Sequence, residues 1–359
     1  KIDLNLYEEY NVKRGLRDSN GRGVLTGLTE VSDVMGFSVV DGHRVPIPGE
    51  LYFQGYEVQQ LVQGFRNSQY GFEETTYLLL FGDLPSQEQL DCFKEVLGEL
   101  RQLPESFNRD VIMKAPSRDM MNVLQKCVLT LYTYDPDPNN LDIKNVLMQC
   151  LQLIAQFPVM AAYGYQAYRH YYLDKSLVIH RPKKELSTAE NILRLLRTDG
   201  KYTALEAKVL DVCLVIHAEH GGGNNSTFTT HVLTSTGTDT YSTVAASLGS
   251  LKGPKHGGAN IKVQQMFDDM KMHVKDWENE DEISEYLQGL LDKKGFDHSG
   301  LIYGMGHAVY SESDPRAVIL KKYAKKLSEE KGLQDEFTRR MLLEKAHDRR
   351  IPESTALTW

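Results

Sequence analysis

Apolar residues recur at helical spacing through most of the chain. After Pro85, the positions Leu90, Val96, Leu97 and Leu100 mark one face of a helix from Ser86 to Leu103, with Ser86 at its N-cap. Met121, Val123, Leu124 and Val128 mark a second helix, from Asp119 to Leu131. Asn145 to Tyr172 is a longer, largely apolar tract. Pro158 is expected to kink or break it, because proline has no N–H to donate and its ring meets the preceding turn. The tyrosines of this tract, Tyr163, Tyr165, Tyr168, Tyr171 and Tyr172, read as helix packing. Ser187-Thr188-Ala189-Glu190 and Thr203-Ala204-Leu205-Glu206 are two capping boxes. The helix opened by the second runs towards His217. Its half from Val209 to Ile216 is apolar nearly all round, the mark of a buried helix.

Strand patterning is confined to the first quarter. Phe37 to Val40 and Leu51 to Phe53 flank turn-like Asp41-Gly42 and Pro46 to Gly49, which predicts hairpins or a small sheet. Glycine clusters at Gly221 to Gly223 and again at Gly253 to Gly258. Beyond residue 260 the helices are shorter and more charged: Ile261 to Lys275, Asp281 to Lys293 and Ala317 to Lys331. The expected fold is mainly α in two domains. Residues 1–260 form a large helical domain with a small β element near the N-terminus, and 261–359 form a smaller polar domain. The glycine-rich junction suits a hinge or a close approach of backbone to ligand.

Composition narrows the function classes. The 359 residues are 41% hydrophobic and 25% charged, as expected for a globular protein. A formal net charge of −8 argues against sequence-independent nucleic-acid binding, which needs a basic surface. No stretch is expected to reach the roughly 18 to 20 apolar residues of a membrane span, and KIDLNLYEEYNVKRG has no apolar secretory core. Cys92, Cys127, Cys150 and Cys213 form no CxxC pair and read as buried, reduced thiols, so a cytoplasmic setting is expected. Lys321, Lys322, Lys325 and Lys326 read as a solvated helix face.

Among eleven histidines, three stand in glycine-rich turns: His220 before three glycines, His256 in GPKHGGAN and His307 in GMGHAV. Flanking glycines remove side-chain bulk and let a ligand reach the imidazole. His217 and His220 are spaced to share a helix face, but they make neither HExxH nor HxxEH and no third ligand follows. A metal-dependent hydrolase is therefore a weak alternative. Walker A, GxGxxG after a strand and GxSxG are all absent.

These three segments carry a resemblance. HAEHGGGNNSTFTTH (His217 to His231), GPKHGGAN (Gly253 to Asn260) and GMGHAVYSESDPR (Gly304 to Arg316) resemble, in order and spacing, the three histidine motifs of the citrate synthase family. GELYFQGYEVQQLV, from Gly49, resembles that family's early Gly-x-Leu-x-x-x-Gly-Tyr segment. The resemblance spans roughly residues 15 to 335.

It implies condensation of acetyl-CoA with oxaloacetate to citrate and CoA, or of propionyl-CoA to 2-methylcitrate, by a homodimer that needs no metal or other cofactor. It implies that His256 donates to the enolate oxygen of the thioester and that His307 donates to the oxaloacetate carbonyl. His220 and Arg316 are then the holders of the oxaloacetate carboxylates, a task that suits the planar arginine fork. Asn224 and Ser226 are expected to brace the histidine loops. CoA contacts are assigned to no residue. The family's base is an aspartate in an Asn-Val-Asp segment beyond the third motif, and these 359 residues contain no such segment. From about residue 338 the tail TRRMLLEKAHDRRIPESTALTW has no motif in common with the family, and nothing in its context gives Asp348 the base role. The 359-residue polypeptide is therefore expected to condense its substrates poorly or not at all. A non-catalytic dicarboxylate-binding protein is the alternative from another class.

Overall fold

The computed structural model describes residues 5–10, 13, 16, 29–65, 68–254, 256–304, 310, 312–335, 338–339 and 341. Its elements are α1 (Asn5–Glu9), β1 (Ser32–Val40), β2 (His43–Phe53), β3 (Tyr56–Glu57), α2 (Val58–Gly64), α3 (Gly71–Phe81), α4 (Gln87–Leu100), α5 (Met120–Leu131), α6 (Ile143–Leu173), α7 (Thr188–Leu196), α8 (Ala204–Ile216), α9 (Asn225–Thr234), α10 (Thr240–Leu251), α11 (Ala259–His273), α12 (Glu280–Leu291) and α13 (Pro315–Lys331). The fold is mainly helical with one small N-terminal sheet, as the apolar spacing implied.

The sheet is antiparallel in the order β1-β2-β3. Asp41 and Gly42, both at positive φ (51° and 79°), close the first hairpin, as the primed turns that match strand twist require. Pro46 to Gly49 does not form the turn expected of it. It lies within β2, where the register jumps between Met35↔Glu50 and Phe37↔Pro46. The bulge takes up Pro48, and Pro46 pairs with Phe37 at its edge; neither proline can donate to a ladder. The buried face of β2, Leu51 and Phe53, packs with Val58, Leu61 and Val62 of α2, Val212, Val215 and Ile216 of α8, and Ile319 of α13.

The second core lies around α6, whose Val159, Met160, Ala162 and Tyr163 meet Val123, Cys127 and Val128 of α5 and Tyr241 and Ala245 of α10. α6 runs unbroken for 31 residues through Pro158. An interior proline costs about 3 kcal/mol. Buried side chains lie on both sides of it, Leu151, Leu153 and Ala155 before and Val159, Met160 and Ala162 after; the large aliphatic ones contribute on the order of 1.5–3 kcal/mol each and so hold the helix together. By length and hydropathy α6 is long and apolar enough to cross a membrane, contrary to expectation, but half of its apolar window is buried against the rest of the fold. It is a core helix.

All three predicted capping boxes or caps at α4, α7 and α8 form, with Ser86, Ser187 and Thr203 accepting from Gln89, Glu190 and Glu206 amides. Every residue of α8 from Glu206 to Ile216 is buried or half-buried. Cys127 is buried, whereas Cys92 is exposed on the outer face of α4, so the expectation of four buried thiols fails there. The lysines at 321, 322, 325 and 326 are exposed on α13.

Residues 263–303 build a core of their own from Met266, Phe267 and Met270 of α11, Ile283, Leu287 and Leu290 of α12, and Ile302. α13 instead returns to the N-terminal core, packing on α8, α2 and β2 through Ile319, Leu320 and Tyr323. That return brings the third motif back to the sheet.

Candidate active site

α8 ends at Ile216, and His217 forms its C-cap with Nδ1 2.7 Å from the Cys213 carbonyl. His220 therefore lies in the loop beyond the helix, not at its end, and His217 and His220 share no helix face. The all-apolar run of α8 stops at Ile216, and a positive φ of 78° at Gly221 turns the chain. The proposed two-histidine metal pair loses its geometric basis. Among the described residues no three His, Cys, Asp or Glu side chains are grouped to hold a metal.

β1 carries this loop. Ser32 Oγ donates to Glu219 Oε1 at 3.1 Å, and a Cβ at Gly221 would stand 3.2 Å from Val34 Cγ2. Downstream, Asn224 is the N-cap of α9 and accepts from the Thr227 amide at 2.8 Å. Its Nδ2 donates to the Gly221 carbonyl at 3.1 Å and its Oδ1 accepts from Ser226 Oγ at 2.7 Å. Ser226 Oγ in turn lies 3.0 Å from His256 Nε2. The first and second histidine motifs are thus joined by one hydrogen bond, between residues 30 positions apart, and Asn224 braces its Ser226 end.

His256 sits in the turn between α10 and α11. Its amide donates to the Gly253 carbonyl at 2.9 Å, and the Gly257 amide donates to the Leu251 carbonyl at 2.9 Å. The ring is half-buried, and burial holds its pKa below the usual imidazole value. Burial thus favours the neutral ring, which has one N–H to give.

β2 carries the third motif. The Gly49 amide, freed by the bulge, donates to the Ser313 carbonyl at 3.0 Å. Tyr310, 5% exposed, stands edge-to-face with His220 at 5.6 Å between ring centroids and 76° between planes. Burial raises its phenol pKa. Asp314 caps α13, with Pro315 at the first helical position, two residues before the start expected at Ala317. Asp314 also grips Arg316 at two points, Nε to Oδ1 at 3.0 Å and Nη2 to Oδ2 at 2.6 Å. Arg316 is half-buried on the first turn of α13. His307 lies outside the described residues, as does Asp348. The ring contact of Tyr310, the Gly49 strut and the Asp314 grip escaped the sequence reading. The Gly-x-Leu segment and the third histidine motif hold these residues but do not show their contacts.

With this geometry in place, comparison with known proteins is decisive. Residues 19–354 match the family profile described as citrate synthase, C-terminal domain. The chain belongs to the citrate synthase family. That match runs past residue 337, where the motif-level resemblance stops. A 2-methylcitrate synthase from Shewanella oneidensis is 32% identical over 287 residues, covering 79% of this chain and 68% of the relative. A citrate synthase from Haloferax volcanii is 32% identical over 327 residues, covering 89% of this chain and 76% of its own. Among solved structures, the citrate synthase of Pyrobaculum aerophilum aligns with a TM-score of 0.75 at 25% identity, covering 95% of this chain and 80% of that one. The Thermoplasma acidophilum citrate synthase, solved as a ternary complex with carboxymethyl coenzyme A and oxaloacetate, aligns in fold with a TM-score of 0.73 at 24% identity, covering 91% of this chain and 77% of that one. Relatives of both substrate types stand near 30% identity.

Proposed function

We propose that this chain carries the condensation centre of a citrate synthase-type enzyme, which joins the α-carbon of a short acyl-CoA thioester to the carbonyl of oxaloacetate. With acetyl-CoA the product is citrate, and with propionyl-CoA it is 2-methylcitrate. One methylene is worth only about 1–3 kcal/mol of discrimination, so the acyl chain is left as a pair of candidates. The single observation that carries the reading is the Asn224–Ser226–His256 relay.

The chemistry needs what that relay supplies. A thioester α-proton is released only if the enolate oxygen is stabilised as it forms, and a preorganised N–H does so at no reorganisation cost. Nε2 of His256 is engaged by Ser226, so Nδ1 is the ring nitrogen left to face a ligand. For Nδ1 to carry the proton, the Ser226 hydroxyl must turn from Asn224 Oδ1 and donate to Nε2 instead. His220 and Arg316 are assigned to the oxaloacetate carboxylates, and His307 to its carbonyl. The proton-abstracting carboxylate is assigned to no residue among the 359. The same reading carries a homodimer, chemistry free of metal, and a cytoplasmic setting, on the strength of the family resemblance and the acidic, CxxC-free composition.

Two measurements test it. Oxaloacetate at 100 times its Kd should stabilise the protein by about 2.7 kcal/mol, a rise of a few degrees in Tm. The absence of any such rise sinks the reading. Thiol release from acetyl-CoA or propionyl-CoA plus oxaloacetate should be at least about 10²-fold below that of a relative bearing the base. Robust release from a preparation whose intact mass matches this chain would show that another carboxylate serves. Binding without turnover favours the second reading, a dicarboxylate-binding protein.

A further inference from the structure

We propose that Tyr310 is a positioning residue, wedged between the backbone of Gly49 and the imidazole of His220 so that the N-terminal sheet sets the orientation of that histidine. The proposal rests on the assignment of His220 to a dicarboxylate.

Three observations meet at this ring. Tyr310 is 5% exposed and makes an edge-to-face contact with His220, 5.6 Å between centroids at 76°. A Cβ placed on Gly49 would stand 2.5 Å from Tyr310 Cδ1 and 2.9 Å from Cε1, so the phenol ring lies directly on the Gly49 backbone. The Gly49 amide, which the β2 bulge removes from the ladder, donates to the Ser313 carbonyl at 3.0 Å and fixes the segment that bears Tyr310.

Each partner thereby gains a reason for its identity. Any side chain at position 49 must push Tyr310 or the Ser313 carbonyl away, because these atoms belong to a buried ring and to backbone. The ring cannot shift towards the sheet, so its contact with the imidazole is held from behind. The His220 loop is separately pinned to β1 by the bond between Ser32 and Glu219. With the loop held to β1 through the Glu219 side chain and the ring held through β2, the histidine has its position and its orientation set by one hairpin. A dicarboxylate then meets an imidazole already turned to it and spends no affinity on ordering the ring.

The test uses the full chain labelled with carbon-13 at histidine Cε1, with the His220 resonance assigned by its loss in His220→Asn. Tyr310→Phe keeps the ring and should leave that resonance and the oxaloacetate Kd within about twofold of the unsubstituted protein. Tyr310→Leu and Gly49→Ala should move or broaden the resonance. They should weaken oxaloacetate about 2- to 10-fold, the range that an aromatic contact of this kind supplies. Urea midpoints measured in parallel separate this from unfolding. An unmoved His220 resonance in Tyr310→Leu overturns the proposal, as does an equal loss of affinity in Tyr310→Phe and Tyr310→Leu. If the unsubstituted protein binds no oxaloacetate, the functional reading falls, while the resonance still decides whether Tyr310 sets the ring.

Discussion

Ser226 Oγ stands 3.0 Å from Nε2 of His256 while lying 2.7 Å from Oδ1 of Asn224. A hydroxyl has one proton, and the amide oxygen can only accept. The Asn224 amide is oriented by Nδ2, which donates to the Gly221 carbonyl. Ser226 must therefore choose. If its proton goes to Asn224, His256 carries the Nε2–H tautomer. If it goes to His256, the imidazole carries Nδ1–H and is ready to donate to a ligand.

Ser226→Ala removes this choice. Nε2 then loses its partner in a half-buried pocket, at a cost of about 0.5–1.5 kcal/mol of stability. The ring nitrogen shifts should report a changed tautomer balance at His256, while oxaloacetate affinity stays within about twofold, because Ser226 is assigned no contact with that substrate. Nitrogen-15 spectra of histidine-labelled protein at pH 7 check this. Identical tautomer populations in the two proteins would refute the relay.

Much of this arrangement was legible in the sequence because it is local. The boxes at Ser187 and Thr203, the cap at Ser86, and the Asp41-Gly42 turn each depend on residues within four positions of one another. What failed depended on partners far along the chain. Burial of α6 on α5 and α10 outweighs the helix-breaking tendency of Pro158. The bulge that draws Pro46 to Gly49 into β2 leaves the Gly49 amide for Ser313. Asp211 is 1% exposed, and its carboxylate accepts from the Gly71 and Phe72 amides, 140 and 139 residues away, beside Lys208 at 3.2 Å. Glu73 and Arg101 are likewise buried, Glu73 accepting from the Thr188 amide at 2.7 Å. No period in the sequence marks such charges as interior. The histidine motifs were found by resemblance, and their coupling through Ser226 and Tyr310 required coordinates.

Gly221→Ala tests the turn that detaches His220 from α8. Its φ of 78° costs a residue with a side chain about 1–2 kcal/mol. The new Cβ would also stand 3.2 Å from Val34 Cγ2, so β1 must give by a few tenths of an ångström. In a Val34→Ala background the contact disappears but the backbone cost does not. The penalty should therefore shrink but remain near 1 kcal/mol, as urea unfolding of the four proteins of the cycle will show. Complete relief by Val34→Ala would mean that φ is not the source.

Glu206 ties the start of α8 to the end of α13 and makes the fold's acid sensitivity testable. Its Oε1 meets Arg197 Nη2 at 2.6 Å and Lys331 Nζ at 2.5 Å, and its Oε2 accepts from Arg197 Nη1 and the Thr203 amide, each at 2.7 Å. Hydrogen bonds from Arg197 hold the carboxyl far below the usual carboxylate range, with Lys331 and Thr203 adding to the effect. The sign follows from proton binding. The unfolded chain, with an ordinary value near 4.3, binds the proton more readily than the folded one. The contribution is therefore complete above about pH 5 and is lost as pH falls below that value. Arg197 and Lys331 are 37% and 36% exposed, so solvent screens the pairs and the effect sits low in its range. Glu206→Gln should cost about 1–2 kcal/mol at pH 7, and the gap to the unsubstituted protein should close towards pH 3. Urea midpoints measured across that span decide it. A gap that is constant with pH would overturn the charge argument, since an amide at position 206 keeps an oxygen for the Thr203 cap and loses only the charge.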